Sequence, residues 1–135
     1  MGRTIAAALG LLIVGGAGTA SAQFDGSAPL ICAIVDVQEC DARAGCEARE
    51  VEDVDLSQFL RVDAAAKKLS SMRPGQERRE SEIQHVGREG GNLVLQGAEA
   101  GRGWSMVITE DTGKMSGALT TAEGVFVVFG ACTPD

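Results

Sequence analysis

The chain has a single histidine, His85, so any serine–histidine–aspartate or cysteine–histidine unit would have to be built around it. No G-x-S-x-G elbow is present to present a serine. The cysteines, Cys32, Cys40, Cys46 and Cys132, form an even set that suits two disulfides better than a nucleophile. His85 then reads as a strand residue facing solvent or a polar contact. Asp53 and Asp55, in EVEDVDLS, have the spacing of paired carboxylates for acid–base work or of oxygen ligands for a cation. The residue alternation and glycine of a calcium-binding loop do not follow them, and with Glu50 and Glu52 they fit a solvated acidic loop better. Gly97 to Gly103, GAEAGRG, has the glycine content of a phosphate cradle but lacks the lysine and the following helix that such a cradle uses, so a flexible loop between strands is expected. Zinc is disfavoured as well: the cysteines are not spaced C-x-x-C, and the only histidine is remote. No catalytic residue, metal or cofactor is expected.

Arg102 and Trp104 are adjacent in Gly101-Arg102-Gly103-Trp104, and both residue types concentrate where partners bind. The competing role for Trp104 is a core anchor whose indole N–H finds a backbone acceptor at the barrel rim, and that role fits better. Arg102, Trp104, Asp53 and Asp55 are the candidates for partner contact. Four Phe, one Trp and no Tyr argue against a large cavity for a flat hydrophobic ligand, since such cavities are usually lined by aromatic rings.

These residues need a scaffold, and its compartment comes first. MGRTIAAALGLLIVGGAGTASAQ has Arg3, an apolar stretch from Thr4 to Gly18 and then Ala20-Ser21-Ala22, which is the pattern of a signal peptide with an A-x-A cleavage site. The apolar stretch is interrupted by four glycines and is shorter than the roughly 20 residues that span a bilayer, so a membrane anchor is not expected. Residues 1–22 are read as the leader and 23–135 as one secreted domain, periplasmic or extracellular and bacterial, with no membrane insertion after cleavage. Without Arg3 the domain has 11 basic and 19 acidic residues. That balance opposes a phosphate-tracking nucleic-acid binder and an anionic membrane surface.

Export makes disulfides expected. Four cysteines allow three pairings. Cys40 and Cys46 enclose a turn-like stretch containing Gly45, which leaves Cys32 and Cys132, in the first and last apolar segments of the domain, to join its ends.

The apolar pattern of the domain has mostly a period of two, the signature of strands, with turn residues every 8 to 12 positions. Leu30 to Gln38 is rich in Ile and Val. Ser81 to Gly87 and Leu93 to Gly97 flank the hairpin signal Gly90-Gly91-Asn92. Trp104, Met106, Ile108, Met115 and Leu119 share one face of a hairpin turning at Asp111-Thr112-Gly113. Val125 to Phe129 reads as a run that can be buried on both faces. Asp55 to Ser71 can be drawn as an amphipathic helix or as two short strands around a turn, and the strands extend the pattern better. Met72 to Glu80, MRPGQERRE, reads as a solvated loop. The expected fold is all-β: a small antiparallel meander of six to eight strands, closed or nearly closed into a barrel, with two disulfides.

The segments LICAIVDVQEC, QFLRVD, LVLQGAEAGRGWSMVITEDTGKMSG and VFVVFGACT, covering roughly Leu30 to Pro134, resemble an uncharacterised family of short exported bacterial proteins with one Trp and a C-terminal F-G-x-C-T. The resemblance implies export and a compact β domain, and no chemistry. The layout is also similar to small secreted β-barrels, the lipocalin-like binders and periplasmic lysozyme inhibitors. Two functions follow as expectations. The first is a binding module steered by its acidity toward a basic periplasmic or extracellular protein, such as a hydrolase of the lysozyme kind that it would inhibit. The alternative is a lipocalin-like carrier of a small apolar ligand. An enzyme is not expected.

Overall fold

A computed structural model describes residues 23–135; the leader expected over residues 1–22 lies outside the described residues. The described chain forms ten strands: β1 (Leu30–Asp41), β2 (Gly45–Arg49), β3 (Phe59–Asp63), β4 (Lys68–Ser71), β5 (Glu80–Glu82), β6 (His85–Glu89), β7 (Asn92–Glu99), β8 (Arg102–Thr109), β9 (Lys114–Thr120) and β10 (Val125–Pro134). All pairings are antiparallel. They build one sheet in the order β5-β4-β3-β1-β10-β9-β8-β7-β6, with β2 added beside β1. The stretch from Asp55 to Ser71 is the hairpin β3–β4, turning through Ala64 to Lys67, and not a helix.

Period-two alternation decides which residues meet. Leu30, Cys32, Ile34 and Val37 of β1, Leu93 and Leu95 of β7, Met106 and Ile108 of β8, Met115 of β9 and Val128 and Cys132 of β10 are buried in one core. The sheet curls over this face because a domain of this size has no second layer to cover it. Phe24, ahead of β1, closes one end: it is 7 % exposed, its N–H donates to the Glu110 carbonyl, and it belongs to the same core.

The first and last strands meet as β1 and β10, registered from Leu30↔Pro134 to Cys40↔Val125, and Cys32 bridges Cys132 within that register. Cys40 bridges Cys46 between β1 and β2. On its other side β1 pairs β3 through Leu30–Ala33 and β2 through Val37–Asp41. Between these two partners a bulge throws Val35 outward, 75 % exposed, and lets Ile34 and Val37 both face the core.

Several expectations need correction. The sheet is not closed into a barrel: its end strands β5 and β6 do not pair each other, because the chain runs from one to the other through Ile83-Gln84 with no turn that would fold them back together, so β5 pairs β4 while β6 pairs β7. The strand expected over Ser81 to Gly87 breaks at Ile83-Gln84, where the Ile83 N–H donates to the Lys67 carbonyl and the Gln84 N–H to the Gln96 carbonyl. Each residue of the break thus bonds to a different flank of the sheet. The strands number ten rather than six to eight, since short segments beside turns pair as well. Val125 to Phe129 is not buried on both faces: a single-layer sheet leaves one face to water, and Phe129 is 45 % exposed while Val128 is buried. Gly97 to Gly103 is not a flexible loop either. It is a two-residue hairpin in which Glu99 pairs Arg102 around Ala100 and Gly101, both at positive φ, the geometry that matches strand twist.

Candidate functional site

At the end of the core remote from Phe24 the inward side chains leave a cavity of about 140 Å³. Its apolar wall comes from inward positions on six strands: Ile34, Leu60, Leu69, Trp104, Leu119 and Val128 all line it. Trp104 sits there because Gly97, its direct partner across the β7–β8 hairpin, has no side chain. A Cβ at Gly97 would come within 2.4 Å of the indole Cζ2 and 2.5 Å of the Glu82 carbonyl oxygen. The indole N–H donates to Ser81 Oγ at 3.0 Å, so the ring is fixed by packing below and a hydrogen bond at its edge. The anchor role read from the sequence and a lining role coincide in this one residue, although the acceptor is a serine hydroxyl and not the backbone group expected.

Charge gathers at the mouth. Arg73 and Arg79, from the loop between β4 and β5, both reach Asp55, at 3.0 Å each to its two carboxylate oxygens. Arg73 also donates to the Leu56 carbonyl. These bonds convert the expected solvated loop into a strap tied across the 3-10 turn Val51–Val54 and its αL terminus at Asp55. The Arg73 hydrogen bond, supported by Arg79, holds the Asp55 carboxyl below its ordinary range against the partial desolvation of the site. Glu99 and Arg102, cross-strand neighbours on the β7–β8 hairpin, complete the rim. Among the described residues Arg102 has no carboxylate at ion-pair distance, unlike Arg73 and Arg79.

Three of the four residues picked out in the sequence, Asp55, Arg102 and Trp104, therefore meet at this mouth, although 47 positions separate Asp55 from Arg102. Asp53 does not join them: it lies exposed on the 3-10 turn, its N–H donating to the Glu50 carbonyl. Arg73 and Arg79 are missing from the sequence reading. The only signal for them was a charge run, which looks the same whether its members are solvated or paired.

Three of the four serines in the wall have structural work: Ser57 Oγ donates to the Phe59 carbonyl, Ser71 Oγ accepts from the Arg79 N–H, and Ser81 Oγ accepts from Trp104. His85 lies on β6, exposed and outside the lining. Among the described residues no three His, Cys, Asp or Glu side chains converge to hold a metal ion, and no helix is long and apolar enough to cross a membrane.

A second recess, about 390 Å³, lies between the β1–β2 turn and the β9–β10 turn, beside Glu39, Asp41, Arg43 and Glu123. It has no comparable apolar floor. The same hairpin concentrates charge: Asp36 to Asp55 contains eight acids against two arginines, most of the −7 of the whole chain. Every residue of β2 is exposed.

Compared with protein-family models, with curated proteins and with solved structures, the chain matches none.

Proposed function

We propose that the chain is an exported binding module that takes the apolar part of a small ligand into its curled sheet. The observation that carries this reading is the cavity at the open end of the core, walled by aliphatic side chains and one indole, while Phe24 stops the other end. Both disulfides suit an oxidising compartment, and the leader pattern points to the bacterial periplasm or the medium. At about 140 Å³ the cavity is well below the usual roughly 300–1,000 Å³ of pockets for drug-sized ligands, so it suits one ring or a short chain rather than a whole lipid.

The test uses Trp104, the only tryptophan. Titration of the exported protein with 1-hexanol should shift its emission to saturation, and Leu119→Phe, which narrows the cavity, should remove the shift. No binding by fluorescence or calorimetry would end the proposal.

A second reading rests on the acidic β1–β2 hairpin, whose charge and exposure support docking of a basic protein, including inhibition of a lysozyme-like hydrolase. It uses a different surface. Salt-sensitive capture of lysozyme that is lost in a Glu47→Gln, Glu50→Gln, Glu52→Gln variant would support it, and capture unaffected by those changes would remove it.

A further inference from the structure

We infer that the ligand of this cavity is a small anionic amphiphile, with an apolar group of about six carbons inside and a carboxylate or similar anion held at the mouth by Arg102, assisted by Arg73 and Arg79. The inference rests on the pocket reading above and adds the chemistry of the head group. Three observations carry it.

The first is charge placement. The protein is acidic, −7 over the whole chain, yet the rim of this cavity has three arginines against Asp55 and Glu99. A cavity meant for a neutral or cationic molecule would have no use for this local reversal of sign. The second is availability. Asp55 occupies Arg73 and Arg79 together, leaving two guanidinium groups to share one carboxylate, and Arg102 has no ion-pair partner among the described residues. Arg73 is only 23 % exposed, so its charge is less screened by water than that of a free surface arginine. Guanidinium also offers forked N–H donors that suit a carboxylate better than an ammonium would.

The third observation is size. A cavity of about 150 Å³ accommodates one benzene, and this one, at about 140 Å³, ends at the arginine rim. An apolar group that fills it therefore places its polar end among the guanidinium groups. A much longer chain would leave carbons in water or its head group beyond reach. The gain from lengthening the chain should accordingly stop at about six to eight carbons.

The test is a titration of the exported protein at neutral pH with hexanoate, 1-hexanol and hexylamine, three probes of one length that differ in charge. Trp104 fluorescence is the readout, with the indole N–H resonance as a second. Hexanoate should bind tightest and hexylamine weakest. Arg102→Gln should weaken hexanoate about fivefold to tenfold relative to 1-hexanol, as for a partly exposed charge-assisted contact. Asp55→Asn, which releases Arg73 and Arg79, should act in the opposite direction and tighten hexanoate. Equal binding of hexanoate and 1-hexanol, with neither variant altering their ratio, would overturn the anion assignment and leave the pocket reading standing. Absence of binding by all three probes in both readouts would remove both.

Discussion

Opening the long disulfide should damage this domain far more than opening the short one, by an amount that follows from position. Cys32 and Cys132 are 100 residues apart and Cys40 and Cys46 only 6. In the chain-entropy description a loop of about 100 residues contributes about 4.7 kcal/mol and one of about 7 residues about 2.4 kcal/mol. Burial widens the gap. Cys32 is 0 % and Cys132 8 % exposed, so replacing both by Ala also empties core volume, at about 1 kcal/mol for each lost sulfur by analogy with removing one buried methylene. Cys46 is exposed and leaves no comparable void. The Cys32→Ala, Cys132→Ala double variant should lose about 6–7 kcal/mol and the Cys40→Ala, Cys46→Ala double variant about 2.4 kcal/mol. Against a total stability of about 5–15 kcal/mol, the first change brings the domain to the edge of unfolding and the second does not. Urea denaturation followed by Trp104 emission measures both, with non-reducing peptide mapping of the parent protein to verify the pairing. Equal losses, or a larger loss from the short loop, would refute the reasoning, as would a peptide joining Cys40 or Cys46 to Cys132.

Gly97→Ala should cost about 2–4 kcal/mol, from overpacking against the indole and loss of the Trp104–Ser81 hydrogen bond, and should red-shift the tryptophan emission. Gly103→Ala, whose Cβ would meet only Thr120 Oγ1 at 3.2 Å, serves as the control and should leave the emission in place. Ala100, at φ 49°, occupies a backbone region that suits glycine, so Ala100→Gly should stabilise the domain by about 0.5–1 kcal/mol once the greater freedom of glycine in the unfolded chain is counted, read as a higher urea midpoint. The carboxyls of Asp25, Asp41, Asp55 and Glu110 are all held below their ordinary values, Asp55 and Glu110 first of all by hydrogen bonds from Arg73 and Arg88. A lowered folded-state value gives stability that is present above the unfolded value and lost as pH falls through the folded one. The melting temperature should therefore stay level down to about pH 5 and fall below about pH 4, with a shallower fall in Asp55→Asn, Glu110→Gln protein.

What could be read in the sequence, and what could not, divides along a physical line. Met106 and Ile108 fall two apart on one strand and Met115 faces them on the return strand, so their burial on one face follows from the two-residue period of a strand, and the structure buries all three. Gly90-Gly91 specifies its turn through two positive φ values that cost glycine nothing, and it joins β6 to β7 as expected. These are local rules. Sheet closure is a property of the two end strands together, and it turned on the break at Ile83-Gln84, where no proline or glycine announces an interruption. The strap was hidden for a related reason. Arg73 and Arg79 lie 18 and 24 residues from Asp55, and nothing in MRPGQERRE distinguishes an arginine tied to a distant carboxylate from one in water.

The cavity is the hardest feature to read because it is a volume that side chains fail to fill, yet composition does bound it. Phe24 fills its end of the core. At the other end the inward positions fall to Leu60, Leu69, Leu119 and Gly117, with one indole and no further ring. A closed wall of aromatics around a wide pocket was never available to a chain with one Trp and no Tyr. Aliphatic side chains around a curled sheet leave instead a space the size of a single apolar group. On the anionic-ligand proposal, the arginines at its mouth would select among molecules carrying such a group.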